Sequence, residues 1–256
     1  MAAIRDQAVV LRTQKLGEAD RIITLLTPRT GLRRAVARGV RKSSSKFGAR
    51  LEPFSVVDIL CYEGRGGLDT VTQAESLAIF GTQLSGSLET YNFAHAMAEV
   101  ATQLAADSAA AAHQYHLLVR SLQALAQGEI AQVLVRDSYF LRALSLAGWS
   151  LELRRCVHCN IAAPPLAGVL SENATPPENL PLELAVSVQL GGLVCNNCAA
   201  PGNFRVEPAV IALLAALLAG DFDLATHAPN SARTAAGEII LAFLNWQLEK
   251  RIRSLN

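Results

Sequence analysis

The sequence predicts an α+β protein: an N-terminal five-stranded β-barrel, then an all-α domain that carries an inserted four-cysteine finger. Three observations predict it. Short β-rich runs broken by Gly, Pro and Asp turns fill residues 1–80. Ala- and Leu-rich stretches with helical spacing fill most of residues 81–256. Two Cys-x-x-Cys pairs stand in a proline-rich break within that helical part.

The strands come first. Gln7–Thr13, Arg21–Thr27, Leu32–Arg38, Phe54–Tyr62 and Leu68–Ala74 are apolar or β-branched runs with turn residues between them, as in a small barrel or sandwich. Five strands fit the OB-fold count. Beyond residue 80 the apolar spacing predicts helices over Leu88–Ala106, His113–Gln127, Ile130–Ala147, Arg205–Ala219 and Ala232–Leu255. Gly148 and Gly220 stand where helices stop. The pattern breaks between Arg154 and Gly202, which hold six of the ten prolines and all four paired cysteines. The predicted organisation is therefore an OB-fold domain over 1–80 and a helical domain over 81–256, with the finger inserted at about 154–202.

Composition narrows the function classes. The longest apolar run, Ala209–Ala219, has eleven residues. A membrane-spanning helix needs roughly 18 or more, so the run predicts a buried helix. Met1–Asp6 has no apolar stretch of the secretory kind, and a cytoplasmic, nucleoid-associated protein is expected. Net charge is only +1, but it is unevenly spread. Residues 1–80 hold 13 basic and 8 acidic side chains, a net of +5, against −4 for residues 81–256. Arg29–Arg50 carries eight basic residues and no acid. Such asymmetry points to nucleic acid.

Cys156-x-x-Cys159 and Cys195-x-x-Cys198 are 35 residues apart. Each knuckle presents two thiolates on one tight turn, and two knuckles close a tetrahedral shell around Zn²⁺. Four cysteine ligands leave no open position, which predicts one structural zinc. Common zinc ribbons have a gap of roughly 15–20 residues, so an excursion lies between the knuckles, with a short strand over Leu184–Leu190. His158 lies inside the first knuckle as an alternative ligand. Cys61, alone in a predicted strand, reads as a small buried residue.

The candidate DNA contacts are Arg12, Arg33, Arg34, Arg38, Arg41, Lys42, Lys46, Phe47 and Arg50. Alternation along a strand puts Arg34 and Arg38 on one face and Arg33 with Ala35 and Ala37 on the other. Bound phosphates would give salt-dependent affinity. Phe47, in the basic loop, is the candidate for stacking on bases, whereas Phe54 is assigned to the barrel core. In Glu18-Ala19-Asp20-Arg21 the acids either orient Arg21 in an ion pair or mark a strand turn.

These residues carry a resemblance. Val9–Thr13, Leu16–Thr27, Gly31–Arg41 and Leu51–Phe54 resemble the N-terminal half of the bacterial RecO family of DNA-repair proteins. Arg136–Trp149, Cys156–Cys159, Gly191–Cys198 and Leu248–Leu255 resemble its C-terminal half. The resemblance implies an OB-fold, a helical domain interrupted by a zinc finger, and no enzymatic activity. It implies binding of single- and double-stranded DNA and annealing of complementary strands. It further implies work with RecR, often alongside RecF, to load RecA onto DNA coated with single-stranded-DNA-binding protein (SSB), whose C-terminal tail docks on the helical domain. An acidic tail needs a cation beside an apolar groove, and Arg120, Arg136 and Arg142 are the candidates.

Two other classes stay open on residues alone. One is a zinc-dependent protein scaffold. The other is an enzyme, either a thiol oxidoreductase using one Cys-x-x-Cys pair or a zinc hydrolase. A phosphate-binding Gly-x-x-x-x-Gly-Lys-Ser/Thr loop and a His-Glu-x-x-His helix are both absent from the sequence.

Overall fold

The computed structural model describes residues 2–105, 110–166, 168–170 and 180–255. The chain forms two compact units, Met1–Glu129 with Ile252–Asn256, and Ile130–Arg251.

The first unit begins with five strands: β1 (Ala3–Leu16), β2 (Asp20–Thr27), β3 (Gly31–Ala37), β4 (Ser55–Tyr62) and β5 (Leu68–Ile79). They close into a barrel in the order β1-β2-β3-β5-β4, with β1 antiparallel to β4 and β3 parallel to β5. This is an OB-like barrel. Alternate residues fill it, among them Ala8, Val10, Ile23, Leu25, Ala35, Ala37, Val57, Ile59, Cys61 and Val71. A register shift between Val10 and Arg12 marks a bulge in β1.

The change from strand to helix comes at residue 80, and the compact unit runs on through three helices. They are α1 (Gly81–Leu84), α2 (Leu88–Leu104) and α3 (Ala111–Gln127). Ser87 caps α2 by accepting from the Thr90 amide, and Gly128 ends α3 in the left-handed conformation. α2 and α3 pack on β1 and β2. Phe54 is fully buried, but its ring meets Tyr91 and His95 of α2, at centroid distances of 5.7 and 4.9 Å. It therefore fills the seam under the helix and not the barrel interior assigned from sequence. The C-terminal residues return to α2, where the Glu99 carboxylate accepts from the amides of Arg253 and Ser254 and from the Ser254 hydroxyl.

The second unit packs α4 (Gln132–Leu146), α5 (Pro208–Ala219) and α7 (Asn230–Leu248) together, with the short α6 (Phe222–Ala225) beside α5. Tyr139, Phe140 and Phe243 are its largest fully buried side chains. Between α4 and α5 lies the finger. Its three strands are β6 (Leu184–Ser187), β7 (Gly192–Val194) and β8 (Phe204–Val206), in the order β7-β6-β8.

Several predicted boundaries change, and β1 and β5 run longer than their predicted strands. The Leu184–Leu190 strand ends at Ser187 and turns back at Gly191 into β7, making a hairpin. The helix predicted from Arg205 starts at Pro208, because Phe204–Val206 pairs with β6 and proline suits the first helical position. The last helix ends at Leu248, with Glu249 left-handed at φ 51°. No helix among the described residues is long and apolar enough to cross a membrane.

Candidate metal centre and nucleic-acid interface

Local hydrogen bonds build each cysteine knuckle. In the first, the Cys156 amide donates to the Ile161 carbonyl (2.8 Å) and the Asn160 amide to the Cys156 carbonyl (2.9 Å). Asn160 makes the reversal at φ 63°. In the second, the amides of Cys198 and Ala199 both donate to the Cys195 carbonyl, each at 2.9 Å. The knuckles are tied together by the Val157 amide on the Leu193 carbonyl (2.8 Å) and the Cys195 amide on the Cys156 sulfur (3.3 Å). Gly192 permits that approach: a Cβ there would lie 2.3 Å from the Glu152 carbonyl oxygen.

The Sγ atoms of Cys156, Cys159, Cys195 and Cys198 all lie within 4.8 Å of one another, with Cys159 and Cys195 at 3.6 Å. A metal with bonds to sulfur of about 2.3 Å needs tetrahedron edges of roughly 3.8 Å, so the donor set fits. The four cysteines are positioned to bind one metal ion. Without one, the thiols compete for protons. Backbone amides, Cys159 first, bring Cys156 down to about 6. The neighbouring Cys195 side chain, followed by desolvation, pushes Cys198 up to about 12. A bound divalent cation favours all four as thiolates.

The barrel carries the basic residues on distinct surfaces. Register places Arg12 opposite Thr24, and Thr24 opposite Arg34. Arg12 and Arg34 thus flank Thr24 in one outward row. Arg12, Arg34, Arg38 and Lys42 are exposed, and among the described residues none has an ion-pair partner. Arg33 points the other way, as alternation predicts. Its Nε donates to buried Asp69 at 2.7 Å, and its Nη2 lies 3.6 Å from Glu63. Its charge is already balanced. Sequence reasoning did not name Asp69, although an acid two residues before core-facing Val71 is a legible signal.

The loop cations brace the backbone. Arg41 donates to the carbonyls of Gly17 and Glu18, Lys46 to that of Thr72, and Arg50 to that of Lys46. These bonds leave their charges unneutralised. Phe47 is a correction: it is 2% exposed within the barrel core and presents no free ring face to a base. The loop needs an apolar anchor, and Phe47 supplies it. Arg21 pairs with Glu52 at 2.6 Å and not with Glu18 or Asp20. Gly17–Ala19 form the turn, and Asp20 accepts from the Gly39 amide at 2.8 Å. Of the two readings of this block, the strand turn is the one observed.

The arginines considered for a protein tail differ in setting. Arg120 is exposed on α3 of the first unit. Arg136 and Arg142 lie on α4 of the second. Arg136 pairs with buried Asp137 at 2.6 Å. Arg142 lies beside Gly220, the C-terminal stop of α5, where a Cβ would come within 2.8 Å of Nη1.

Comparison with known proteins agrees with this architecture. The family model described as "Recombination protein O N terminal" matches residues 1–80, and "Recombination protein O C terminal" matches residues 85–256. The chain is similar to the DNA repair protein RecO of Thermobifida fusca (strain YX). They are 40% identical over 256 residues, covering 100% of this chain and 98% of that protein. With a barrel and a four-cysteine finger in the matched regions, this chain belongs to the RecO family of DNA repair proteins.

Proposed function

We propose that the protein is a recombination mediator that binds single- and double-stranded DNA through its barrel and anneals complementary strands. The observation that carries this reading is the Arg12–Thr24–Arg34 row, together with exposed Arg38 and Lys42 in the turn that follows β3, none of these cations having an ion-pair partner among the described residues. Annealing is then physical. Cations screen the phosphates of two strands, release their counterions, and lower the repulsion that opposes pairing. No covalent step is needed, and the protein is read as a non-enzyme.

Residues 1–80 are read as the DNA-binding domain and 81–256 as the partner-binding domain. Arg12, Arg34, Arg38, Arg41, Lys42, Lys46 and Arg50 are the proposed phosphate contacts, with Arg33 holding the barrel. The metal is read as one structural zinc, since four thiolates suit it and leave no position for substrate. The clustering of all four sulfurs favours a shared ion over an isolated dithiol pair.

The partners follow the family: RecR, the SSB C-terminal tail, and through them RecA and RecF. Arg120 and Arg142 are the tail candidates whose charge is not already paired with an acid among the described residues. The protein is placed in the cytoplasm, at the nucleoid. The deciding experiment is annealing of complementary oligonucleotides, bare and SSB-coated, by the wild type and by Arg34→Ala/Arg38→Ala. Slower annealing and weaker binding by the folded variant support the reading, and unchanged rates overturn it.

A further inference from the structure

The four sulfurs of the metal centre have unequal surroundings. Cys156 receives the backbone amide of Cys195 at 3.3 Å. Cys159 lies 3.6 Å from the Cys195 sulfur. At Cys198, among the described residues, the partner from outside the four thiols is a side chain: the His158 ring, with Nδ1 at 3.6 Å from the sulfur. His158 belongs to the first knuckle and Cys198 to the second, so this contact spans the centre.

We infer that His158 is a positioning residue of the metal site, donating Nδ1–H to the Cys198 thiolate. The direction follows from the chemistry. A metal-bound thiolate has no proton to give, so the imidazole is the donor. Four thiolates around a divalent cation leave a net charge of two minus. An N–H bond draws off part of that charge and makes the sulfur a weaker target for alkylating agents. It supplies at Cys198 what the Cys195 amide supplies at Cys156. Outer partners of this kind typically change metal affinity by about 10- to 100-fold. His158 does not replace a ligand, since the four sulfurs already fill a tetrahedral shell. The inference rests on the metal reading above.

The test uses the full chain loaded with zinc, compared with His158→Phe and His158→Asn. Three readouts are taken: bound zinc per chain, its release rate to a chromogenic chelator, and the order in which the four cysteines react with iodoacetamide, mapped by peptide mass. His158→Phe is expected to keep one zinc, release it about 10-fold faster, and make Cys198 the first thiol to react. His158→Asn, whose amide can also donate, is expected to recover part of the loss. Unchanged release and an unchanged alkylation order in a zinc-loaded His158→Phe variant overturn the inference alone. So does a Cys198→Ala variant that holds zinc tightly until His158 is also removed, because His158 would then be a ligand. A wild-type chain that takes up no zinc overturns the metal reading and this inference together.

Discussion

Arg33 and Asp69 form an ion pair, Nε to Oδ2 at 2.7 Å, while the adjacent Arg34 points out of the barrel with no ion-pair partner among the described residues. One step along a strand separates a structural arginine from a proposed phosphate contact. Arg33→Ala leaves a carboxylate that is 5% exposed without its main partner. It is expected to cost about 3 kcal/mol of barrel stability, read as a lower denaturant midpoint. Arg34→Ala is expected to leave stability within about 0.5 kcal/mol and to weaken DNA binding. The reverse pattern would contradict the two assignments.

Phosphate binding makes a quantitative demand. On single-stranded DNA, every phosphate that a cation neutralises adds about 0.7 to the slope of log affinity against log salt. Arg34→Ala/Arg38→Ala should therefore lower that slope by about 1.4, measured by fluorescence anisotropy across a salt series. An unchanged slope would remove these two arginines from the interface.

Burial of Phe47 leads to a second expectation about DNA. No aromatic ring stands in the Arg12–Thr24–Arg34 row, and exposed Tyr62 pairs with Thr70 outside it. Abasic and ordinary single strands should bind within about twofold of each other, since one stacked base would contribute about 1–3 kcal/mol. Phe47→Ala should cost about 3–5 kcal/mol of stability by opening a core cavity, without altering the salt slope of the folded protein. A strong preference for strands with bases would show that a stacking ring does engage.

The metal centre gives its own test. Cys159→Ser or Cys195→Ser should reduce bound metal from one per chain toward zero, measured by atomic absorption after gel filtration. Gly192→Ala puts a Cβ against the Glu152 backbone and should destabilise the finger by about 1–3 kcal/mol through overpacking. Metal retained at one per chain in both cysteine variants would show that the four sulfurs do not share one ion.

Asp137 supplies a pH dependence in the helical unit. Burial raises its carboxyl to about 6, with Arg136 opposing the shift. A folded value above the ordinary one means that this group's stabilising contribution is fully present below about 3.8 and is lost as pH rises through about 6. Stability should fall by about 1–1.5 kcal/mol from pH 5 to pH 7 on this account. Asp137→Asn should flatten that part of the profile in denaturant melts. An unaltered profile would assign the pH dependence elsewhere.

Much of this was legible in the chain. Period-two runs and turn residues marked all five barrel strands, because one face of each strand must be apolar to fill the barrel. Alternation separated Arg33 from Arg34 and Arg38. Two Cys-x-x-Cys pairs announced the metal centre, since only a close approach of both knuckles uses four thiolates. The edges of the finger were less legible. Phe204–Val206 is a strand because β6 offers it hydrogen bonds, a partner that lies outside any local window.

What the sequence alone determined is the set of residue types and their local period: a basic barrel, helices, and four cysteines in two pairs. Tertiary structure decided which of them are spent on folding. It placed Asp69 against Arg33 and sank Phe47 into the core. It set Phe54 beneath α2 and moved Arg21 to Glu52. Each depends on a partner far along the chain or on burial within a packed core. Such pairings are chosen by strand register and packing, which local pattern does not encode.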